Sequence, residues 1–384
     1  MTEHLQADVA IVGGGIAGCA AAVALRKAGL SVVLLEKATC GAGASGVNFG
    51  GVRQQGRHIA ELPLARRSRP LWDQMSAILD EDVEFQATGH IKLARSDADM
   101  AELEAYARDA GACGLRLQLL GSNAVRTELP WLSQGIVGAS LCTEDGQANP
   151  RLVGPAYARL ARRLGADVRE RALAVAAHRT GDFFEICTEG VVVKSRFLVN
   201  TAGMGAGQIA KWFGEEVPLE PVLPNMLVTE PLPFFLSRSI GVCGGDIYLR
   251  QVSRGNVIFG GGQGWGDTEL TVSRPTTDQS LLGMAKTLDL VPMLKGAHVI
   301  RTWSGIDGQM PDHIPVIGFS STTPNLLHAF GFSGHGFQLG PVIGEILAEL
   351  IKDGHSASPL APFAISRFAG GTALPRDAAG GVEH

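Results

Sequence analysis

The hydrophobic and polar positions at the start of the chain follow two different periods. A short apolar run at 9–12 precedes a cluster of glycines, apolar residues then recur at helical spacing over 16–28, and a second apolar run occupies 31–35. Short continuous apolar runs are typical of buried strands, and the longer periodic segment is typical of a helix. The pattern therefore predicts a strand–helix–strand unit at the start of the chain.

The remaining pattern predicts alternating helices and strands. Predicted helices cover 59–79, 97–113, 148–165, 277–288 and a C-terminal segment that follows the glycines of GFSGHGFQLGP. Predicted strands lie in GHIKLARS and at 172–177, 183–188, 190–194, 197–201, 247–252 and 256–260. The proline-rich stretch 218–233 is expected to cross from one domain into another.

Strand–turn–helix patterns at both ends of the chain predict an α/β protein with a discontinuous Rossmann-like domain, interrupted by an α+β substrate domain built on a β-sheet. The expected nucleotide-binding domain comprises 1–82, 145–217 and 308–370, and the expected substrate domain comprises 83–144 and 218–307. Residues 371–384, rich in Gly, Ala and Pro, are expected to form a loose tail.

Composition narrows the function classes. The 384 residues are 45% hydrophobic with a net charge of -5, and no Lys/Arg cluster is long enough to indicate nucleic-acid binding. Six cysteines show no metal-ligand spacing, which favours reduced thiols in a cytoplasmic protein and no metal site. No window has the roughly 18 uninterrupted apolar residues that a transmembrane helix needs.

The first glycine cluster satisfies the pattern G-x-G-x-x-G at Gly13, Gly15 and Gly18, and Glu36 ends the second strand, 23 residues after Gly13. These glycines permit a tight turn, close approach of a pyrophosphate and close packing of helix on strand, and the acid can accept a hydrogen bond from a ribose hydroxyl. The unit therefore predicts dinucleotide binding.

The residues after Glu36 favour FAD over NAD. The chain continues as KATCGAGASGVNFGGVRQQG, a second loop of small residues, whereas a nicotinamide domain usually continues into another regular βα unit. FAD is the longer molecule, and its ribityl and isoalloxazine half needs a second backbone surface. We expect this loop to supply it, with Ser45 near the phosphates and 48–53 near the ring.

Five segments carry a further signal, namely VAIVGGGIAG with LLEK, GASGVNFGGVR, LVNTAG, RTWSGIDGQMPDHIPVIG and GFSGHGFQLGPVIGEILAELI. In this order, and over essentially the whole chain, they resemble the D-amino-acid oxidase/glycine oxidase/sarcosine oxidase superfamily of FAD enzymes. GFSGHGFQLGP looks most similar to β subunits of heteromeric sarcosine and opine oxidases and to proline and D-hydroxyproline dehydrogenases. The resemblance implies a glycine oxidase-like fold and oxidation of a C–N bond to an imine by hydride transfer to flavin N5.

The resemblance also gives the C-terminal glycines a role. Their loop and the following helix N-terminus would face the pyrimidine side of the flavin, where backbone donors stabilise negative charge. His335 either adds to this effect or only shapes the loop. Residues expected to bind FAD are Gly13, Gly15, Ile16, Ala17, Gly18, Glu36, Lys37, Ala44, Ser45, Asn48, Gly50, Gly51, Val175, Ala202, Gly203, Gly334, His335, Gly336, Phe337 and Gln338.

The candidate substrate residues depart from the superfamily pattern. Where glycine oxidase and D-amino-acid oxidase place an arginine for the substrate carboxylate, this chain has Asp307. Either another arginine binds the carboxylate, with Arg53 and Arg250 the candidates, or the substrate presents a cation to Asp307. All three residues also have a structural interpretation. Tyr248 and His335 are candidates for orienting the substrate or accepting its proton.

Three absences refine the expected chemistry. Gly305 stands where monomeric sarcosine oxidases tether flavin through a cysteine, so we expect non-covalent FAD. The segment DGQANPRLVG lacks the histidine that links FMN in the β subunits of sarcosine oxidases. Ile258 aligns near the lysine that activates oxygen, so we expect electrons to pass to another acceptor.

The sequence predicts a cytoplasmic FAD-dependent dehydrogenase of a secondary amine or D-amino acid, with an opine-like or a D-hydroxyproline- or proline-like substrate. Three alternatives stay open. The chain can be a flavin-holding β subunit without turnover of its own, whose partner subunits carry FMN, iron–sulfur or a second nucleotide. It can also be a sarcosine oxidase-type oxidase or, less in keeping with the second loop, an NAD-dependent dehydrogenase.

Overall fold

A computed structural model describes residues 2–267 and 269–369, and the predicted tail at 371–384 lies outside them. The helices are α1 (Ile16–Lys27), α2 (Ala44–Val47), α3 (Leu62–Asp73), α4 (Met75–Leu79), α5 (Asp97–Ala112), α6 (Ser122–Glu128), α7 (Pro150–Arg163), α8 (Ala206–Trp212), α9 (Thr277–Leu290) and α10 (Gly336–Asp353). Short 3₁₀ turns occur at Ile59–Glu61, Gly203–Gly205, Pro292–Gly296, Ala361–Phe363 and Ile365–Phe368.

The strands of the described residues fall into two large sheets and three short pairs. They are β1 (Glu3–Val12), β2 (Val32–Glu36), β3 (Gly51–Val52), β4 (His90–Ala94), β5 (Gln118–Gly121), β6 (Gly138–Cys142), β7 (Gly146–Gln147), β8 (Asp167–Glu170), β9 (Ala176–Thr180), β10 (Phe183–Cys187), β11 (Val191–Asn200), β12 (Glu220–Val222), β13 (Pro224–Pro231), β14 (Ser239–Val242), β15 (Tyr248–Gln251), β16 (Asn256–Gln263), β17 (Trp265–Gly266), β18 (Ser273–Arg274), β19 (Val299–Ser304), β20 (Asp307–Gln309), β21 (Val316–Phe319) and β22 (Leu326–Phe330).

The first sheet has the order β21-β22-β11-β1-β2-β8, and its strands from β22 to β8 run parallel. Alternation along β1 sends Val9 and Ile11 into the core beneath α1, α7 and α10, and sends Ala10 and Val12 into a second core on the opposite face. Burial on both faces explains why β1 and β2 read as continuous apolar runs.

α10 lies against α1 because glycines let the two helices approach closely. A Cβ added at Gly340 would lie 2.5 Å from Ile16, and one at Gly344 would lie 2.4 Å from the backbone carbon of Ala20. This contact fixes the N-terminus of α10 beside the first glycine loop.

The second sheet has the order β19-β13-β16-β15-β14-β4-β6-β5 and is mainly antiparallel, with β14 and β4 as a parallel pair. Its strands come from two separate stretches of the chain, before α7 and after α8, and they enclose their own apolar core. The exact division of the chain into two discontinuous domains stays a prediction.

Four predicted elements were wrong in detail. Residues 190–194 and 197–201 form a single strand, β11, because pairing with β1 continues through Ser195. The predicted strand 172–177 is replaced by β8 and β9. The predicted crossover 218–233 contains β12 and β13, since Pro224 and Pro231 stand only at the ends of β13, where the ladder is irregular.

Candidate active site

The first glycine loop leaves no room for side chains. Gly13 has a φ of +108°, and a Cβ there would lie 2.3 Å from the carbonyl oxygen of Thr201. A Cβ at Gly18 would lie 2.0 Å from the carbonyl oxygen of Gly13. Since Gly15, the N-cap of α1, provides no side-chain cap, the helix N-terminus offers backbone donors to an anion.

Glu36 and Ser45 both contact this loop, while their contact with a cofactor stays a prediction. Oε2 of Glu36 accepts a hydrogen bond from the Gly14 N–H at 2.6 Å, and Oγ of Ser45 accepts one from the Ile16 N–H at 2.9 Å. Lys37 follows Glu36 and is exposed. An acid and a hydroxyl therefore flank the helix N-terminus.

Asn48 holds the second loop in shape. Its Nδ2 donates to the carbonyl oxygens of Ala44 (3.0 Å) and Ser45 (2.8 Å), and its Oδ1 accepts from the Gly50 N–H at 2.7 Å. Gly50 has a φ of +83°, and a Cβ there would lie 2.4 Å from the Ala148 carbonyl oxygen. The loop therefore presents backbone, with Gly51 in β3, to the cavity beside it.

A cavity with about 850 Å³ of empty space, part of it open to solvent, lies between this loop and the second sheet. We call it the first cavity. The sheet contributes Met226, Gly241 and Tyr248, the chain after β19 contributes 305–307, and the start of α10 contributes Gly334 and Phe337. The first cavity thus joins the second loop, the sheet and the α10 N-terminus in one place.

Asp307 supports the loop before α10. Its Oδ1 accepts from the Gly308 N–H at 2.9 Å and its Oδ2 accepts from the Gly334 N–H at 2.8 Å, while burial raises the pKa of this carboxyl. The Gly334 donor therefore has a partner within the protein. Gly336, Phe337 and Gln338 form the first turn of α10, and the N-cap, His335, makes no side-chain cap bond.

His335 pairs with Glu61 behind the cavity wall. Its Nδ1 lies 2.8 Å from Oε2 of Glu61, and both side chains are buried. Burial, and next the positive charge of Arg57, lower the pKa of His335 to about 4. His335 is therefore a neutral imidazole at pH 7.

A buried polar cluster lines one end of the first cavity. Arg53 and Arg57 both face it, and burial, followed by repulsion from Arg53, lowers the pKa of Arg57 to about 10. Asp145, fully buried, accepts from the N–H groups of Gln54 (2.7 Å) and Gln55 (3.3 Å). The sequence pattern indicated only Arg53 of this cluster, although the polar run RQQGR after a glycine loop was a usable signal.

Tyr248 and Arg250 lie on the same strand but meet different spaces. Tyr248 lines the first cavity and contacts Phe49 edge to face at 5.1 Å between ring centroids, and burial raises its pKa. The guanidinium of Arg250 lies 5.3 Å from the centroid of the Phe49 ring, and its Nη1 donates to the Ala148 carbonyl oxygen at 3.0 Å. The structure therefore places Arg250 outside the first cavity, whereas Arg53 lines it.

Arg250 lines a second cavity, which shares Asn48 of the second loop with the first cavity. Arg151, Arg254 and Arg301 also line this second cavity, together with Trp303 and the start of α7. Nε of Arg250 is buried without a hydrogen-bond partner. Glu84 also lines the second cavity and pairs with Arg254 at 3.7 Å, so the four arginines leave it with an excess of positive charge.

The remaining predicted residues lie along the first sheet. Ala202 donates its N–H to Oδ1 of Asn200 at 3.4 Å, at the end of β11, and Gly203 follows with a φ of +57°. Val175 precedes β9 and its side chain is 57% exposed, which leaves an apolar surface at the edge of the sheet. Their contact with a cofactor stays a prediction.

The family description "FAD dependent oxidoreductase" (DAO) matches residues 8–350. The chain belongs to the DAO family. This DAO protein is 27% identical over 373 residues to glycine oxidase from Geobacillus kaustophilus (strain HTA426), with 94% of this chain and 97% of that protein covered. It is also 27% identical over 379 residues to an opine oxidase subunit from Rhizobium meliloti, with 94% and 98% covered.

Among solved structures, L-proline dehydrogenase from P. horikoshii superposes with a TM-score of 0.88 at 26% identity, over 97% of this chain and 100% of that chain. The fold class expected from the sequence is thereby confirmed, as are the superfamily and FAD as the cofactor of this DAO protein. In the described residues, no group of acidic, His or Cys side chains could hold a metal ion, and no helix is long and apolar enough to cross a membrane.

The residues of this DAO protein fit FAD. Side chains are excluded at Gly13, which makes the tight turn, and at Gly18, which packs the helix on the strand, and Glu36 and Ser45 flank the α1 N-terminus where a pyrophosphate would bind. The second loop and the start of α10 both border the first cavity.

Proposed function

We propose that the protein is an FAD-dependent dehydrogenase that oxidises a secondary amine or D-amino acid to an imine and passes the electrons to an acceptor other than oxygen. One observation carries the proposal: the second loop, the α10 N-terminus and the buried guanidinium groups of Arg53 and Arg57 meet in the first cavity. A flavin site and a cationic end for an amino-acid carboxylate therefore share one space.

The residues of the chain would orient the substrate and exclude water. Bound FAD would supply the electron acceptor, taking hydride at N5. Met226, Tyr248, Phe49 and Phe337 give the cavity apolar walls that desolvate an amine, and the first turn of α10 directs backbone donors at developing negative charge. Tyr248 lines the cavity and its raised pKa keeps the phenol protonated, so it is a candidate for orienting the substrate, whereas His335 lies behind the wall against Glu61.

The acceptor assignment rests on Ile258. The chain has Ile258, and no lysine, at the position that aligns near the oxygen-activating lysine. The structure places Ile258 in the lining of the second cavity and not in that of the first. We expect slow reoxidation by oxygen and fast reoxidation by an artificial dye. Stopped-flow mixing of the reduced protein with air-saturated buffer tests this, and rapid reoxidation would instead support an oxidase of the sarcosine oxidase type.

The second cavity supports a heteromeric version of the proposal. Its arginines form a site for an anionic group on a redox partner, and the opine oxidase relative is named as one subunit of an enzyme. A partner chain carrying FMN, iron–sulfur or a second nucleotide would then receive the electrons. In this version the chain holds FAD without independent turnover.

The substrate candidates are an opine and D-proline or D-hydroxyproline. The relatives include the opine oxidase subunit and, among structures, L-proline dehydrogenase. Asp307 was a candidate partner for the basic arm of an opine, but both of its oxygens accept backbone hydrogen bonds. Recognition through the carboxylate is therefore better supported than recognition through a basic arm.

The test is the visible spectrum of the purified protein during anaerobic addition of octopine, nopaline, D-proline, D-hydroxyproline or sarcosine. Bleaching of the flavin by one of them would establish an amine dehydrogenase and name its substrate class. The protein can instead be yellow, keep its flavin oxidised with every compound and copurify with another chain. That result would favour the alternative in which the chain holds flavin but has no turnover of its own. A colourless protein that binds NAD would contradict the proposal.

A further inference from the structure

His90 is a buried imidazole in the wall of the first cavity, and neither a motif nor a family pattern draws attention to it. It begins β4, its side chain is about 4% exposed, and it faces the same cavity as Arg57. Nδ1 lies 2.7 Å from Nε2 of Gln55. The same Gln55 nitrogen donates to the carbonyl oxygen of His90 at 2.8 Å.

These contacts determine which ring nitrogen carries the proton. A backbone carbonyl only accepts, so the Gln55 atom that faces it must be the NH₂ group. The hydroxyl of Ser140 donates to Oε1 of Gln55 at 2.8 Å, which is consistent with that amide orientation. An NH₂ group only donates, so Nδ1 of His90 is the acceptor and the proton of the neutral ring is on Nε2.

The ring stays neutral in this environment. Burial, and then the positive charges of Arg53, Lys92 and Arg57, hold the pKa of His90 well below its usual value. A neutral ring with Nδ1 occupied has one donor left, which is Nε2–H.

Gly241 keeps space open in front of that donor. Gly241 pairs with Lys92 across the β14–β4 ladder and lines the first cavity, and a Cβ at this position would lie 3.2 Å from Nε2 of His90. Within the described residues, Nε2 makes no hydrogen bond. The donor therefore meets the cavity rather than another side chain.

Arg57 supplies a second donor to the same end of the cavity. Its side chain is about 3% exposed and is fixed by a bond from Nε to the Arg53 carbonyl oxygen at 3.0 Å, while Nη1 has no partner. A buried guanidinium nitrogen without a partner is costly unless a ligand satisfies it. A carboxylate, which accepts at two oxygens, matches one cationic and one neutral donor.

We propose that Nε2–H of His90, with Nη1 of Arg57, binds the carboxylate of the substrate in the first cavity. The inference rests on the proposed amine oxidation. It makes His90 a specificity residue that favours amino acids over simple amines and over amino-acid amides.

The experiment compares pyrrole-2-carboxylate with pyrrole-2-carboxamide as ligands of the FAD-loaded protein. Perturbation of the flavin absorption spectrum reports the Kd of each ligand and requires no turnover. The variants are His90→Leu, which removes the donor, and His90→Gln, which keeps an NH₂ donor. FAD content and Tm show whether each variant is folded.

Because a hydrogen bond to a charged group is stronger than one between neutral groups, we expect the Kd of pyrrole-2-carboxylate to rise about 10- to 100-fold in His90→Leu. The Kd of pyrrole-2-carboxamide should rise less than that in His90→Leu. His90→Gln should recover most of the affinity for pyrrole-2-carboxylate. Equal carboxylate affinity in the wild type and in folded His90→Leu and His90→Gln would overturn the inference.

Failure of the proposed function gives a different result. Carboxylate binding that depends on His90, in a protein whose flavin no amine bleaches, would support the carboxylate site and contradict amine oxidation. Bleaching by an amino acid without any dependence of carboxylate binding on His90 would contradict the His90 assignment alone.

Discussion

Oδ2 of Asp307 accepts a hydrogen bond from the backbone N–H of Gly334 at 2.8 Å, across 27 residues of sequence. The carboxylate that replaces the family arginine thus holds the loop that begins α10. Its second oxygen binds the Gly308 N–H, so both acceptors serve the backbone. Asp307 therefore connects β20 to the loop before α10, at the edge of the first cavity.

Replacement of Asp307 by Ala should weaken FAD binding. The partly buried N–H groups of Gly308 and Gly334 lose their acceptor. At about 1–3 kcal/mol for each unsatisfied group, we expect the Kd of FAD to rise at least tenfold. Asp307→Asn keeps one acceptor oxygen, so its Kd for FAD should lie between those of the wild type and Asp307→Ala. Fluorescence titration of the apoprotein with FAD measures the effect, and Asp312→Asn, which alters the pair with Arg367, is the control. Unchanged FAD binding with a higher KM only for cationic substrates would show that Asp307 faces the substrate.

Gly344→Ala should destabilise the protein by about 1–3 kcal/mol, because the added methyl group would overlap the backbone of α1. Gly111→Ala is the matched control, since Gly111 lies in α5 and no atom comes within 4 Å of its added Cβ. Because alanine has a higher helix propensity than glycine, Gly111→Ala should be as stable as the wild type or up to about 1 kcal/mol more stable. Urea unfolding measures both, and similar stability of the two variants would contradict the close contact of α1 with α10.

Stability should fall as the pH drops from about 6.5 to about 4, because the pKa of His335 is about 4 in the folded state against 6.5 as its ordinary value. The unfolded chain binds a proton in this window and the folded chain does not, so acid favours unfolding, by about 3 kcal/mol at most from this group. His335→Gln should flatten the pH dependence of Tm, whereas exposed His355→Gln should not. Identical slopes in the wild type and His335→Gln would contradict a buried, neutral His335.

Acid precipitation should release all the flavin into solution. Gly305 provides no thiol, and even a Cβ at that position would lie 2.4 Å from Cγ2 of Val47. Absorbance of the supernatant and of the washed pellet at the flavin maximum measures the distribution. Yellow protein in the pellet would indicate a covalent link at another residue.

Local sequence patterns predicted much of the fold. Gly13, Gly18 and Glu36 lie within one strand–helix–strand unit, whose geometry short-range sterics and periodicity determine. Asn149 likewise caps α7, within the predicted helix 148–165, by accepting from the Arg151 N–H at 3.1 Å, because Asn is a favoured N-cap residue. By contrast, Ser195 and Arg196 gave no local signal that β11 continues, because that pairing depends on β1 far away in the sequence.

The sequence by itself determined the nucleotide loop, the second glycine loop and the family, because each depends on residues that are close together along the chain. Only the tertiary structure decided the polar contacts of the first cavity. Glu61 meets His335 across 274 residues, Gln55 meets His90 across 35, and Arg250 faces away from Arg53 because Phe49 lies against its guanidinium. Such pairs depend on how two sheets and α10 pack together, and a residue's local pattern carries no information about the partner that packing brings to it.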